Sequence, residues 1–245
     1  MYWSSQLIQC RELALCLSTG VPVIGGHSEQ IKNIGAVDGD SCLYFDLLLE
    51  RKGRVVIQRL KIARMGHPVL NRPADAVADP TTPEIARLVG DMMDTLEDAQ
   101  GAGLAAPQVH VPLRVVIFFA PPEHDDGASQ AVPLTVLINP EIELLGDERS
   151  DGWEACLSVP GLTGLVARWE TIRYRGFALD GQTIERQATG FHARVVQHEC
   201  DHLDGIVYPM RMINMAQLMF CEERRHYIRS VAAADEEEEP VSEER

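Results

Sequence analysis

The chain has 245 residues, 45% of them hydrophobic and 24% charged, which suits a globular protein with enough apolar material for one sizeable core. Its 22 basic and 37 acidic residues give a net charge of −15, so general attraction to nucleic acid or anionic lipid is excluded as its main business. There is no apolar run of about 18 residues and no basic start leading into an apolar stretch with a small-residue cleavage site, so neither a membrane span nor a secretory signal is expected.

Residues 1–59 stand apart, with six bases, six acids, six glycines and half of the cysteines but no sustained period of 2 or 3.6. They are expected to be an N-terminal extension of unassigned role, poorly ordered or even outside the native start. Glu12 and Glu29 argue against a transit peptide. From about Leu60 the pattern sharpens. Thr82 as N-cap and Pro83 at the first helical position open a helix whose apolar face is Ile85, Leu88, Val89, Met92, Met93 and Leu96. Gly101 and Gly103 are expected to stop it. Strands are expected over 113–120 and 134–139, with the turn-rich 121–130 between them. A β-rich middle leads to a hairpin of 169–179 and 183–187 around Asp180-Gly181. Residues 191–203 contain no Gly or Pro and are closed by Gly205, which predicts a second helix. The acidic stretch Asp235 to Arg245 carries seven acids and one base, and 231–245 is expected to be a disordered tail. The domain between the two ends is expected to span 60–230.

The second helix carries His198-Glu199-Cys200-Asp201-His202, an H-E-x-x-H spacing that projects two imidazoles from one face, with a carboxylate beside them. Two histidines leave a catalytic metal one protein ligand short. Glu222, Glu223 and His226 offer one downstream, and Cys156 in Glu154-Ala155-Cys156-Leu157-Ser158 offers one upstream; spacing does not choose between them. Gly101-Ala102-Gly103-Leu104-Ala105-Ala106-Pro107-Gln108 is a small-residue turn that lets backbone approach a ligand and ends in an amide donor, although alone it reads as a helix stop and loop. Six cysteines at irregular spacing (10, 16, 42, 156, 200, 221) suit thiols or metal ligands better than a disulfide framework.

In order and separation, GAGLAAPQ, EACLS and QHECDH resemble the motifs of the peptide deformylases, and the resemblance runs from about Leu60 to Met212, with 61–70 similar to the family's opening strand. It implies an α+β fold, antiparallel β-sheets around a central metal-bearing helix, and hydrolytic removal of the N-formyl group from the N-terminal methionine of newly made polypeptides, releasing formate. Position by position it implies Cys156, His198 and His202 as metal ligands, Glu199 as general acid and base, and Gln108 with the Leu157 amide as oxyanion donors. Gly103 matches the glycine whose backbone lies beside the substrate; Ala102 and Val195 are further candidates for substrate contact. The implied cofactor is one divalent metal, Fe(II) physiologically, with Zn, Ni or Co possible in isolated protein. Implied partners are N-formylmethionyl nascent peptides and a transient contact with the ribosome, with no sequence-specific nucleic acid and no membrane. The expected location is a bacterial-type cytoplasm, with an organelle as the alternative.

Three residues depart from the family pattern. Ala155 replaces the usual Gly before the cysteine and raises a question of backbone conformation, while Ala102 and Thr163 are expected to alter substrate contacts. Cys200 lies about 200° around the helix from His198 and is expected in the core. Glu154 and Asp201 are candidates either to orient a ligand or to pair with Arg168; His110, His124 and His192 are expected on loops or at the surface. Competing readings are a deformylase relative with altered acyl or peptide specificity, a zincin-like peptidase with a downstream third ligand, and a non-catalytic metal-binding protein associated with the ribosome.

Overall fold

The structure is a computed structural model that describes residues 59–121 and 131–238, with side chains as far as Val231. The expectations for 1–58, for His124 and for the end of the acidic tail lie outside the described residues.

Strand β2 (Val115–Ala120) organises the molecule. It is flanked by β1 (Gly103–Ala105) and β3 (Val132–Leu144), and β6 (Thr171–Phe177) and β7 (Thr183–Thr189) complete an antiparallel sheet in the order β1-β2-β3-β6-β7. Val115, Val116, Ile117 and Phe118 are all fully buried because the sheet is covered on both faces. That is why this strand reads as a continuous apolar run rather than an alternating one. Val116 and Phe118 meet helix α2 (Gly190–Leu203) through Val195, Val196, Cys200 and Leu203. Val115 and Ile117 face the opposite layer, where helix α1 (Pro83–Ala99) contributes Ile85, Val89, Met92 and Leu96. A second, three-stranded sheet has the order β4-β5-β8, formed by β4 (Arg149–Cys156), β5 (Val159–Trp169) and β8 (Met219–Phe220). Helix α3 (Arg224–Glu238) follows.

The expected α+β architecture and its elements are present, with local differences. Helix α1 starts as expected, with the Thr82 side chain accepting from the Ile85 amide, but its stop is Gln100 in the left-handed region (φ 54°) rather than a glycine. Gly103 instead begins β1. Residues 61–70 form no strand: Ala63 and Met65 donate single bonds to the carbonyls of Gln108 and Ser158, and Pro68 opens a short 3-10 turn. A proline removes the donor that a continuing ladder needs. Strand β3 runs past the expected end at Asn139, which takes φ 51° and exchanges two side-chain hydrogen bonds with the Val77 backbone, so the irregularity between Ile138 and Glu141 is pinned. At the C-terminal end, α3 continues to Glu238, into the stretch expected to be disordered. None of the described helices is long and apolar enough to cross a membrane.

Candidate active site

The motif residues come from three elements. Strand β4 ends at Cys156, and a two-residue turn of Leu157 and Ser158 sends the chain back as β5. Helix α2 packs across β1 and β2 and presents His198, Glu199 and His202 toward that turn. Beyond β1, a 3-10 turn over Ala106–Val109 brings up Gln108.

Cys156, His198 and His202 are the residues among those described that can hold a metal ion, with their ligand atoms all within 4.8 Å of one another. Cys156 Sγ lies 3.2 Å from His202 Nε2. His198 Nδ1 is 2.8 Å from Glu154 Oε2, so its other ring nitrogen is the one left for an ion. Burial disfavours a charged His198 ring, but its bonds to Cys156 and Glu154 outweigh this and raise its pKa well above the ordinary value. Burial, with the neighbouring His198 charge, pushes His202 well below. A thiol and two imidazoles are a soft and borderline donor set that suits a divalent transition metal. Glu222, Glu223 and His226, the downstream alternatives for a third ligand, are exposed and outside this group.

Glu199 is 5% exposed, and its Oε2 has no hydrogen-bond partner among the described residues. Burial, with Glu154 nearby, pushes its carboxyl up to about 7 against the pull of His198 and Arg168. Gly103 is needed beside it for space: a Cβ there would collide with the Glu199 carboxylate. Gln108 is buried with its amide orientation fixed, because Ala105 N–H donates to Oε1 at 2.8 Å. Its Nε2 therefore faces Cys156 Sγ at 3.4 Å and Ser158 Oγ at 3.1 Å. Leu157 is half-buried, close enough to Gly101 that a Cβ on the glycine would lie 3.0 Å from Leu157 Cδ1. Ala102 is half-buried, its carbonyl accepting from Phe119 N–H at 2.9 Å. Val195 belongs to the buried layer with Phe118 and Tyr174.

Glu154 both orients a histidine and pairs with arginine: Arg168 grips it through Nε (2.8 Å) and Nη2 (2.9 Å) while reaching Asp201 with Nη1 at 2.6 Å. Burial opposes a charged Glu154, but the Arg168 and His198 hydrogen bonds win and hold its carboxyl well below the carboxylate range. Asp201 also accepts from Arg211. Cys200 is a core thiol as expected, with burial pushing its pKa up. His110 is exposed, whereas His192 is half-buried with Nε2 3.2 Å from Tyr174 OH.

Two expectations change. Ala155 is not among the positive-φ residues, and its exposed side chain sits in ordinary strand backbone beside a bulge, so alanine brings no strain. Thr163 is 3% exposed and donates to the Glu154 carbonyl at 2.9 Å, which directs it at β4 rather than at a substrate. Ser158 and Arg194 escaped sequence reasoning. The available signals were a hydroxyl at the end of EACLS and a lone arginine one helical turn before His198 on an otherwise apolar stretch.

A thiol, two imidazoles and an unpartnered carboxyl gathered in the floor of an antiparallel α+β fold make the chain a hydrolase of the kind that works through one bound metal. The polypeptide deformylase family model matches residues 59–217. Peptide deformylase 2 of Ralstonia nicotianae is 53% identical over 161 residues, covering 66% of this chain and 91% of that one. Peptide deformylase 1 of Bordetella pertussis is also 53% identical over 161 residues, covering 66% and 92%. A Met-Ala-Ser-bound class I type b peptide deformylase from Acinetobacter baumannii superposes with a TM-score of 0.58 at 35% identity, over 63% of this chain and 98% of that one. The chain belongs to the peptide deformylase family, metal-dependent hydrolases that remove the N-formyl group from nascent polypeptides.

Proposed function

We propose that Cys156, His198 and His202 hold one divalent metal, Fe(II) physiologically and Zn, Ni or Co in isolated protein, and that Glu199 moves the proton in the hydrolysis of N-formylmethionyl peptides. The observation that carries this is the convergence of three ligand atoms within 4.8 Å beside a buried carboxyl oxygen with no partner. Bound there, a divalent cation would supply Lewis acidity, lowering the pKa of water and polarising the formyl group.

Glu199 takes one proton from the attacking water as its oxygen bonds to the formyl carbon. The carbonyl oxygen gains charge as this bond forms. Gln108 Nε2, aimed by the Ala105 and Ser158 contacts, and the Leu157 N–H in the β4–β5 turn are the donors assigned to it. The carbon–nitrogen bond then breaks, Glu199 returns the proton to the departing amine, and the formic acid formed leaves as formate, giving its remaining proton to solvent or to the free amine. Gly103 keeps the wall beside Glu199 free of a side chain, and with Ala102 it lies where extended substrate can pass. Strands β1 and β4 each pair on one side only among the described residues, so either edge can accept a peptide as an added strand. Val195 is assigned to the methionine pocket, and a larger residue there should change the preference for methionine. The Acinetobacter relative binds Met-Ala-Ser, which supports a methionine-first peptide as ligand here. The substrate emerges from ribosomes, so transient ribosome contact and a cytoplasmic location belong to this reading.

Glu199→Ala is the test. It should abolish formate release from formyl-Met-Ala while metal content and folding stay at wild-type levels; an unaltered rate would overturn the mechanism.

A further inference from the structure

Arg194 lies on α2 one turn before His198, and it is only 8% exposed. Its Nη1 donates to Glu154 Oε1 at 2.9 Å and to the Val166 carbonyl at 2.8 Å, and its Nη2 donates to the Ser150 carbonyl at 2.8 Å. Ser150 and Glu154 are on β4 and Val166 on β5. One helical side chain thus holds both strands of the hairpin that ends in Cys156.

The same contact completes Glu154. Its Oε1 accepts from Arg168 Nε and Arg194 Nη1, and its Oε2 from Arg168 Nη2 and His198 Nδ1. A carboxylate has about four acceptor sites, and four donors fill them, so Glu154 cannot turn without breaking a charged bond. The His198 ring inherits that fixed direction. Gly152 is the matching feature on β4. A Cβ there would lie 2.5 Å from Arg194 Cζ and 2.7 Å from Nε and Nη2, so the glycine is the opening through which the guanidinium reaches the strand. Its φ is not positive, and space rather than conformation explains a residue that otherwise weakens a strand.

We propose that Arg194 is a positioning residue: seated against Gly152, it sets the register of α2 on the β4–β5 hairpin through Glu154 and the strand carbonyls, so that the two histidines of the helix and the cysteine of the hairpin meet one cation. This rests on the reading of Cys156, His198 and His202 as ligands.

The test uses Co(II) added to the full chain after removal of bound metal by chelator, read as affinity and as the thiolate-to-cobalt absorption band. Arg194→Leu and Gly152→Ala should each weaken Co(II) binding about 10-fold or more and diminish the band, while cooperative unfolding is retained. Arg194→Lys should fall between them and the wild type, because one ammonium cannot span Glu154 and two carbonyls. In a Glu154→Gln background the further effect of Arg194→Leu should shrink, as expected of two residues acting through one contact. If Arg194→Leu fails to fold, Gly152→Ala decides alone, since it leaves the strand's backbone bonds and the arginine in place. Wild-type affinity and an unchanged band in Gly152→Ala would overturn the proposal. A wild-type chain that binds Co(II) with no thiolate band would overturn the ligand reading itself, and this proposal with it.

Discussion

Beside the proposed ligands, burial binds Glu154 and Arg168 to each other. Glu154 and Arg168 have side chains only 4% and 5% exposed, so neither can recover water if the other is removed. Glu154→Gln should cost about 3–5 kcal/mol by leaving Arg168 under-compensated and should also loosen His198, both measurable by denaturant unfolding and metal titration. The pH dependence follows the same pair. The Glu154 pKa in the fold lies below its unfolded value, so its stabilisation is fully present above the unfolded carboxylate range and is lost as pH falls through and below that range. Chelator-treated wild type should therefore lose more stability than Glu154→Gln between about pH 5 and pH 3. Equal losses would show that Glu154 is not the group responsible. Gln108→Ala should lower kcat about 100- to 1,000-fold with little change in metal content, because its amide, aimed by Ala105 and Ser158, is assigned to the reacting oxygen and not to the ion. Wild-type turnover in that variant would remove Gln108 from the reaction. Sequence order exposed the H-E-x-x-H pair because four residues make one helical turn. It could not bring Cys156 to them: that meeting depends on where the β4–β5 turn lands. Nor could it find Ser158 or Arg194, whose roles exist only across that gap.

At the scale of elements, helix α1 and strand β2 were legible for opposite reasons. The helix shows an apolar stripe with a cap, while the strand shows no alternation because both of its faces are buried. The Thr82 cap is a long one, 3.5 Å to the Ile85 amide, so Thr82→Ala should cost only about 0.5–1 kcal/mol and leave formate release unchanged. A larger loss in thermal unfolding would mean that the cap also fixes the segment before α1. The parts that misled are those where tertiary contacts override local preference. Asn139 takes a left-handed conformation because Val77 holds its side chain, and Gln100 does so at the end of α1 with its N–H bonded to carbonyls of the last turn. Pro68 ends what motif similarity suggested would be an opening strand.

For the whole molecule, the two-layer core and the three-stranded sheet bring distant segments to one small buried site, where the proposed metal centre takes its sulfur from Cys156. If the ion held beside Cys156 is Fe(II), as proposed, aerated preparations should lose activity and bound metal relative to anaerobic ones. Equal, stable activity in both would oppose iron as the physiological ion. The family match begins at residue 59 and the described elements all follow it, so a chain starting at Gln58 should retain formate release. The most direct measurement is X-ray absorption at the metal edge of the zinc-loaded wild type and Cys156→Ser. The account predicts one sulfur and two imidazole nitrogens around the ion in the wild type, with the sulfur lost in the variant. A wild-type spectrum without sulfur, or one unchanged by the substitution, would contradict it.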